Sequence, residues 1–304
     1  MIALRFAAAM VACASLPALA TEGGGTSRGL GIDTILSGVL PPPGWIAKLV
    51  IGGYEASRTL DGSGRPRAGV SDFGVKVRAT ALHLQYVWPD AKVLGAGVMT
   101  TVATPWLEGD IAFDAATPGG PVRVSGSTSA AGDLYLAPAL LGWRGASFHQ
   151  IAGIYLSLPT GASSPARPIN PGRGYASILP SYAFTWFPAQ GVEASVGAYY
   201  LYNRTNPDTR YRSGQEMTAD YGLGYHVAPM WQVGVSGYLH QQVTDDRRDG
   251  QRVADGNRGR VAAIGPFVRF HGRGWGVVLK WQAERLVENR AAGDRVILQL
   301  AMKL

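Results

Sequence analysis

The sequence predicts an all-β fold: a transmembrane, antiparallel, up-and-down β-barrel of about 12 strands behind a cleaved signal peptide. Three observations predict it. Twelve stretches alternate apolar and polar residues with a period of two, and the gaps between them are in turn short and long. Five gaps are tight: Pro89-Asp90-Ala91, Arg144-Gly145-Ala146, Pro188-Ala189-Gln190-Gly191, Ala228-Pro229-Met230 and Gly272-Arg273-Gly274. The six gaps between them hold roughly ten to twenty-five residues each, rich in Gly, Pro, Asp, Asn and Arg, as expected of a barrel with inner turns and long outer loops. Finally, only 16% of residues are charged, against about 25% in a typical soluble domain. Gly reaches 41 residues, with Trp at 8 and Tyr at 13, which suits a barrel wall with aromatic girdles.

Residues 1–20 read as a secretory signal, with Arg5 as the positive region, an apolar run from Phe6 to Ala12, and Ala18-Leu19-Ala20 as the cleavage site. The only cysteine, Cys13, lies within it, and Met10-Val11-Ala12-Cys13 is a poor lipoprotein box. The mature chain is therefore expected to carry no disulfide. No run of 18 apolar residues follows, so no spanning helix is expected. Residues 21–43 form a lead-in. Ile32 to Val39 would make one or two helical turns before Pro41-Pro42-Pro43-Gly44 stops them. The segment reads equally as a plug in the inner mouth or as a disordered tail.

The barrel occupies 44–304. Its strands are expected near 45–57, 73–88, 92–106, 133–143, 147–158, 175–187, 192–203, 215–228, 231–242, 260–271, 275–284 and 295–304. Each approximates the 9–11 residues that cross a bilayer at barrel tilt. In the seventh, Val192, Ala194, Val196, Ala198, Tyr200 and Tyr202 oppose Glu193, Ser195, Gly197 and Asn203. In the ninth, Trp231, Val233, Val235 and Leu239 oppose Gln232, Ser236, His240 and Gln242. In the eleventh, Trp275, Val277, Leu279 and Trp281 oppose Lys280, Gln282 and Glu284. The apolar set is expected to meet lipid and the polar set to line the lumen. The last strand alternates Val296, Leu298, Leu300, Met302 and Leu304 with a more polar set, and would be an aggregation-prone edge unless the barrel closes. The second strand changes phase: Val75, Val77, Ala79 and Ala81 set one apolar face, Leu82, Leu84, Tyr86 and Trp88 the other. A β-bulge near Thr80 to Leu82 would reconcile them.

Charged motifs gather at the outer ends of the later strands: Arg212 and Glu216, Asp245 and Asp246, Arg258 and Arg260, Glu288 and Arg290. They read as a structural ion-pair network or as a polar constriction that gates a solute. Glu216, Asp220, Lys280 and Glu284 face inward, where charges must pair or meet water, and a wall-to-wall salt-bridge network is expected in so narrow a barrel. The net charge of +7 is scattered rather than blocked, so no nucleic-acid partner is read from it. Outer-membrane lipid, and lipopolysaccharide meeting positive loops, are the expected surroundings. Asp245, Asp246 and Asp255 lack calcium-loop spacing, and the five histidines show no zinc pattern, so no metal or other cofactor is expected. No Gly-x-Ser-x-Gly is present. Ser236 and His240, four apart on one strand, would be about 13 Å apart, too far for a catalytic hydrogen bond.

Several motifs together resemble a known family. Leu158-Pro159-Thr160-Gly161, Tyr211-Arg212-Ser213-Gly214-Gln215-Glu216, Gln242-Val243-Thr244-Asp245-Asp246, Asn257-Arg258-Gly259-Arg260, Ile264-Gly265-Pro266, Lys280-Trp281-Gln282 and Glu288-Asn289-Arg290 are similar to outer-membrane "meta-pathway of phenol degradation" transporter-like proteins, as are Thr21-Glu22-Gly23-Gly24 and Pro41-Pro42-Pro43-Gly44. The resemblance implies a bacterial outer-membrane barrel associated with breakdown of aromatic compounds, with no agreed substrate residues to transfer. The expected function is passive uptake of a small hydrophobic or aromatic solute, without enzymatic chemistry. The alternatives are a structural or adhesive barrel with a closed lumen, and a barrel-embedded lipid hydrolase.

Overall fold

The computed structural model describes residues 22–304, so the expected signal, residues 1–20, lies outside the described part. Among the described residues, sixteen strands follow a short 3-10 turn at Glu22–Gly24: β1 (Gly44–Thr59), β2 (Val70–Val93), β3 (Ala96–Thr117), β4 (Gly120–Ala131), β5 (Leu134–Arg144), β6 (Phe148–Leu158), β7 (Ser177–Trp186), β8 (Val192–Asn203), β9 (Tyr211–Arg212), β10 (Glu216–Ala228), β11 (Trp231–Gln242), β12 (Arg247–Arg248), β13 (Gln251–Arg252), β14 (Arg260–His271), β15 (Trp275–Glu288) and β16 (Ala291–Lys303). The order β2-β1-β16-β15-β14-β11-β10-β8-β7-β6-β5-β3 closes through a β2–β3 pairing. Every pairing in this ring is antiparallel, and the ring holds twelve strands. Closure is what a bilayer demands, because no water is available there to satisfy an open edge. β16 pairs with β1 from Lys303↔Ile46 to Ala291↔Thr59, so the last strand has no bare edge.

The outer face is a lipid face. Ile51, Leu82, Leu223, Val235, Leu239, Leu279 and Leu298 are all exposed apolar side chains. An aromatic girdle lies next to the inner turns: Trp45 and Tyr86 at 4.8 Å, Trp231 and Phe270 at 4.8 Å, Phe270 and Trp275 at 5.3 Å. Amphipathic rings of this kind sit at a membrane interface.

Four expectations need correction. β2 runs without a register shift from Val75 to Val87 against both neighbours, so no bulge sits at Thr80 to Leu82. Both apolar faces are real: Leu82 and Trp88 meet lipid, while Val75, Val77, Ala79 and Ala81 line the lumen. The first inner turn is at Leu94-Gly95, not Pro89-Asp90-Ala91; both residues have positive φ (52° and 77°), as a two-residue hairpin turn with matching twist requires. The expected long loop after residue 106 is instead a hairpin, in which β4 pairs with the outer half of β3 from Trp106↔Ala131 to Thr117↔Gly120. β5 then continues in line with β4 and pairs with the inner half of β3. At 24 and 22 residues, β2 and β3 are about twice the bilayer span and stand well above it. The last outer connection is only Asn289-Arg290, because β15 and β16 extend to meet it.

Residues 25–43 form no helix; they run as turns and bends inside the barrel. The expected helical turns at Ile32 to Val39 fail because barrel side chains take the backbone donors. The amides of Gly31 and Asp33 both donate to Asp220, Leu36 N donates to Glu193 Oε1, and Gly38 N donates to Thr185 Oγ1.

The lipid face gives a direct test. Leu279→Arg, near the middle of β15, is expected to destabilise the barrel by about 2–4 kcal/mol in urea titration of protein folded into vesicles. A cost near zero would mean that this face does not meet lipid.

Candidate functional site

The lumen has two unlike walls. Strands β8 to β16 turn polar and charged side chains inward, and the N-terminal segment lies against them. Asp220 is the centre of the contact and is fully buried. Its carboxylate takes a two-pronged bond from Arg28 (Nη1 3.2 Å, Nη2 2.9 Å) and the amides of Gly31 (2.8 Å) and Asp33 (2.9 Å). Bidentate, charge-assisted bonds of this type are the strong ones. Lys280, also buried, donates from Nζ to Gly31 O (3.0 Å), Ile32 O (2.8 Å) and Thr34 Oγ1 (2.8 Å). Arg295 donates to Leu30 O, and Gln299 to Ile32 O at 3.0 Å. Gly222 permits the approach, since a Cβ there would stand 2.1 Å from Thr34 O.

These contacts correct the expected wall-to-wall network. Asp220 and Lys280 are satisfied chiefly by the chain's own N-terminal segment rather than by each other. A buried charge without such partners would cost several kcal/mol.

At the inner end the segment seals the barrel. Leu40 packs with Ile46, Val87, Met99, Ala137, Leu140 and Ile151. It sits in a pit at Gly142, where a Cβ would stand 2.8 Å from Leu40 Cβ. Arg144 Nη2 caps the turn by donating to Leu40 O (2.9 Å) and Pro41 O (2.7 Å).

Above the seal, and beside the segment, remains a cavity of about 960 Å³. Its β1–β7 side is mostly apolar: Phe73, Val75, Val77, Ile111, Tyr155 and Leu179 line it, with Ile169 folded in from the 159–176 loop. Its other side carries Arg28, Asp33, Tyr199, Glu284, Arg290 and Arg295. Lys48 and His83 project from β1 and β2 towards the lower part. Glu284 accepts from Tyr54 (2.9 Å) and Tyr238 (2.6 Å), and the Arg295 guanidinium lies between those two rings, 5.4 and 5.1 Å from their centroids.

The outer rim is tied together at Asp246, a buried loop carboxylate. It accepts from the Tyr211 hydroxyl, Gly214 N (2.7 Å), Gln242 Nε2 (2.8 Å) and Asn257 Nδ2 (3.0 Å). Burial raises its carboxyl above the usual range, against the pull of those hydrogen bonds. Burial and the adjacent carboxylate likewise push the Tyr211 hydroxyl up and keep it protonated. Asp245 pairs with Arg252 (3.2 Å) and Arg258 (2.8 Å), and Arg260 pairs with Glu288. Arg212 lies in a small outer sheet, paired along the backbone with Arg247.

The candidate residues thus divide four ways. Asp220 and Lys280 hold the segment, and Glu284 and Arg290 reach the cavity. Arg212, Asp245, Asp246, Arg258, Arg260 and Glu288 shape the rim loops. Glu216 is buried behind the cavity, with Oε1 accepting from Asn203 (2.7 Å) and Oε2 3.5 Å from His240 Nδ1; Arg290 Nη1 meets His240 Nε2 at 3.1 Å. Sequence reasoning did not single out Arg28, Asp33, Lys48, Tyr155 or Tyr199. The inward phase of Lys48 and Tyr199 was readable; their convergence on Asp33 was not.

A closed twelve-stranded barrel with a lipid-facing girdle and a lumen shared by its own N-terminal segment defines a bacterial outer-membrane β-barrel protein. A family model described as "Putative MetA-pathway of phenol degradation" matches residues 56–300, and the chain belongs to that family. An outer-membrane channel from Pseudomonas putida F1, known from its crystal structure, superposes with a TM-score of 0.71 at 16% identity, covering 87% of this chain and 97% of the other. The NanC porin gives 0.45 at 9% identity over 84% and 100% of the two chains, and a Pseudomonas aeruginosa FadL homologue 0.45 at 11% over 93% and 99%. No curated protein matches by sequence.

Asp220→Ala would leave Arg28 buried without its main partner, a change worth about 3–5 kcal/mol. Trypsin is expected to cleave after Arg28 in the folded variant while the parent protein resists. Equal resistance would show that the segment is held by other contacts.

Proposed function

We propose that this barrel is a passive outer-membrane conduit for small, mostly apolar solutes, aromatic ones included. The observation that carries the reading is the two-faced cavity. An apolar wall of Phe73, Val75, Val77, Ile111 and Ile169 faces a polar one, and the space of about 960 Å³ suits a small ligand. Such a wall offers an apolar solute a surface that the charged lipopolysaccharide layer does not. The family's description, with its reference to phenol degradation, supports the same reading, as does the likeness to an outer-membrane channel of Pseudomonas putida. No chemical step is required of any residue. Outward-facing Lys76 and Arg78 on β2, above the lipid-facing Leu82, would meet the lipopolysaccharide phosphates.

A second reading has one observation in its favour. The segment and the Leu40 cluster close the inner end, as a purely structural barrel would have it. In the uptake reading this seal yields transiently. Removing the Leu40 side chain forfeits about 2–5 kcal/mol of packing.

Intact cells given radiolabelled phenol or benzoate at micromolar concentration are expected to take it up faster with the protein than without it, and faster still with Leu40→Ala. Equal uptake by all three strains would leave the structural barrel as the correct reading.

A further inference from the structure

The N-terminal segment carries its own carboxylate into the cavity, and the surroundings of that group describe a ligand. Asp33 accepts from Tyr199 Oη at 2.8 Å and pairs with Lys48 Nζ at 3.3 Å and Arg28 Nη2 at 3.2 Å. These three donors are not equally committed. Arg28 is already held by two prongs on Asp220, and its guanidinium stacks 3.8 Å above the Tyr199 ring. Lys48 has Asp33 as its ion-pair partner, across a bond longer than the ideal for such a pair. Asp220 is fully buried, whereas the Asp33 side chain is 33% exposed and Lys48 20%, both towards the cavity. Asp33 is therefore the part of the network that a solute can reach and replace.

Above this donor set stand rings and aliphatic groups. Tyr155 lies 5.9 Å from Tyr199, centroid to centroid, and packs with Leu179. A ligand with a flat apolar body and one terminal carboxylate would place its ring against Tyr155 and Leu179. Its oxygens would then fall to Lys48 and Tyr199. We infer that the Lys48–Tyr199 donor pair is the cavity's recognition site for a small aromatic carboxylate, and that Asp33 occupies it as an internal competitor. The inference rests on the uptake reading and deepens it. A solute that wins the site releases the ties of Asp33 to β1 and β8, while the Asp220 tie remains.

Isothermal titration of the full mature protein in detergent, with benzoate and with its neutral isostere benzamide, tests this. Asp33→Ala is expected to tighten benzoate binding by about tenfold, and Lys48→Met to weaken it by about tenfold, as loss of a charge-assisted bond implies. Benzamide binding is expected to stay unchanged in both. Heat-modifiable gel mobility reports whether each barrel is folded. Should either variant fail that check, Asp33→Asn and Lys48→Gln are expected to move benzoate in the same directions. Parallel shifts for the two probes, or weaker benzoate binding on loss of Asp33, would overturn the proposal and leave Asp33 as a strut. Absence of binding by either probe to the parent protein would remove the aromatic-solute reading along with it. Binding of both probes with no charge preference would remove this inference alone.

Discussion

One buried carboxylate organises the lumen. Asp220 has no access to water, and its charge is tolerated only because Arg28 and two backbone amides are brought to it. Those partners come from residues 28–33, nearly two hundred positions away in sequence. The same bonds consume the amides that a helix would need, so the segment stays a series of turns and bends along the wall. Lys280 extends the arrangement by capturing the carbonyls of Gly31 and Ile32. Removing the segment would expose a row of dehydrated charges, and removing the charges would leave the segment without a berth.

The two-walled lumen follows from this. The polar wall is taken up by the chain's own N-terminal segment, and the cavity is bounded on its free side by β1 to β7. Those strands turn Val75, Val77 and Ile111 inward, which a water-filled pore would not require. The inner seal at Leu40 is built to fit, with Gly142 as its socket and Arg144 fixing the turn behind it. The outer loops are stiffened separately, by Asp246 gathering four donors from two loops and the end of β11.

Most of the wall was legible in the sequence because lipid imposes a strict period of two. The faces of β8, β11 and β15 fall as their alternation dictates. Legibility failed where that rule lapses. β2 is apolar on both faces because its lumen face is apolar too, and this looks like a phase change. From Ser125 to Ala131 β4 is a run of Ser, Thr, Gly and Ala standing above the bilayer, so no long apolar stripe marks it as a strand. Pro89-Asp90 has turn chemistry, yet the chain turns five residues later, at Leu94-Gly95. The charged candidates on β10 and β15 were visible as inward groups. Their partners were not, since nothing local links Asp220 to Arg28, and the rim hub at Asp246 was visible only as a cluster.

The N-terminal segment covers the polar wall and leaves the apolar wall open. Cysteine accessibility separates the two walls. Val77→Cys places a thiol on the open wall, and Ser236→Cys places one beneath the segment. A hydrophilic maleimide applied to the folded protein is predicted to label the first and spare the second. Deleting residues 22–43 should then expose the second. Equal labelling of both thiols with the segment present would show that the segment does not cover the polar wall.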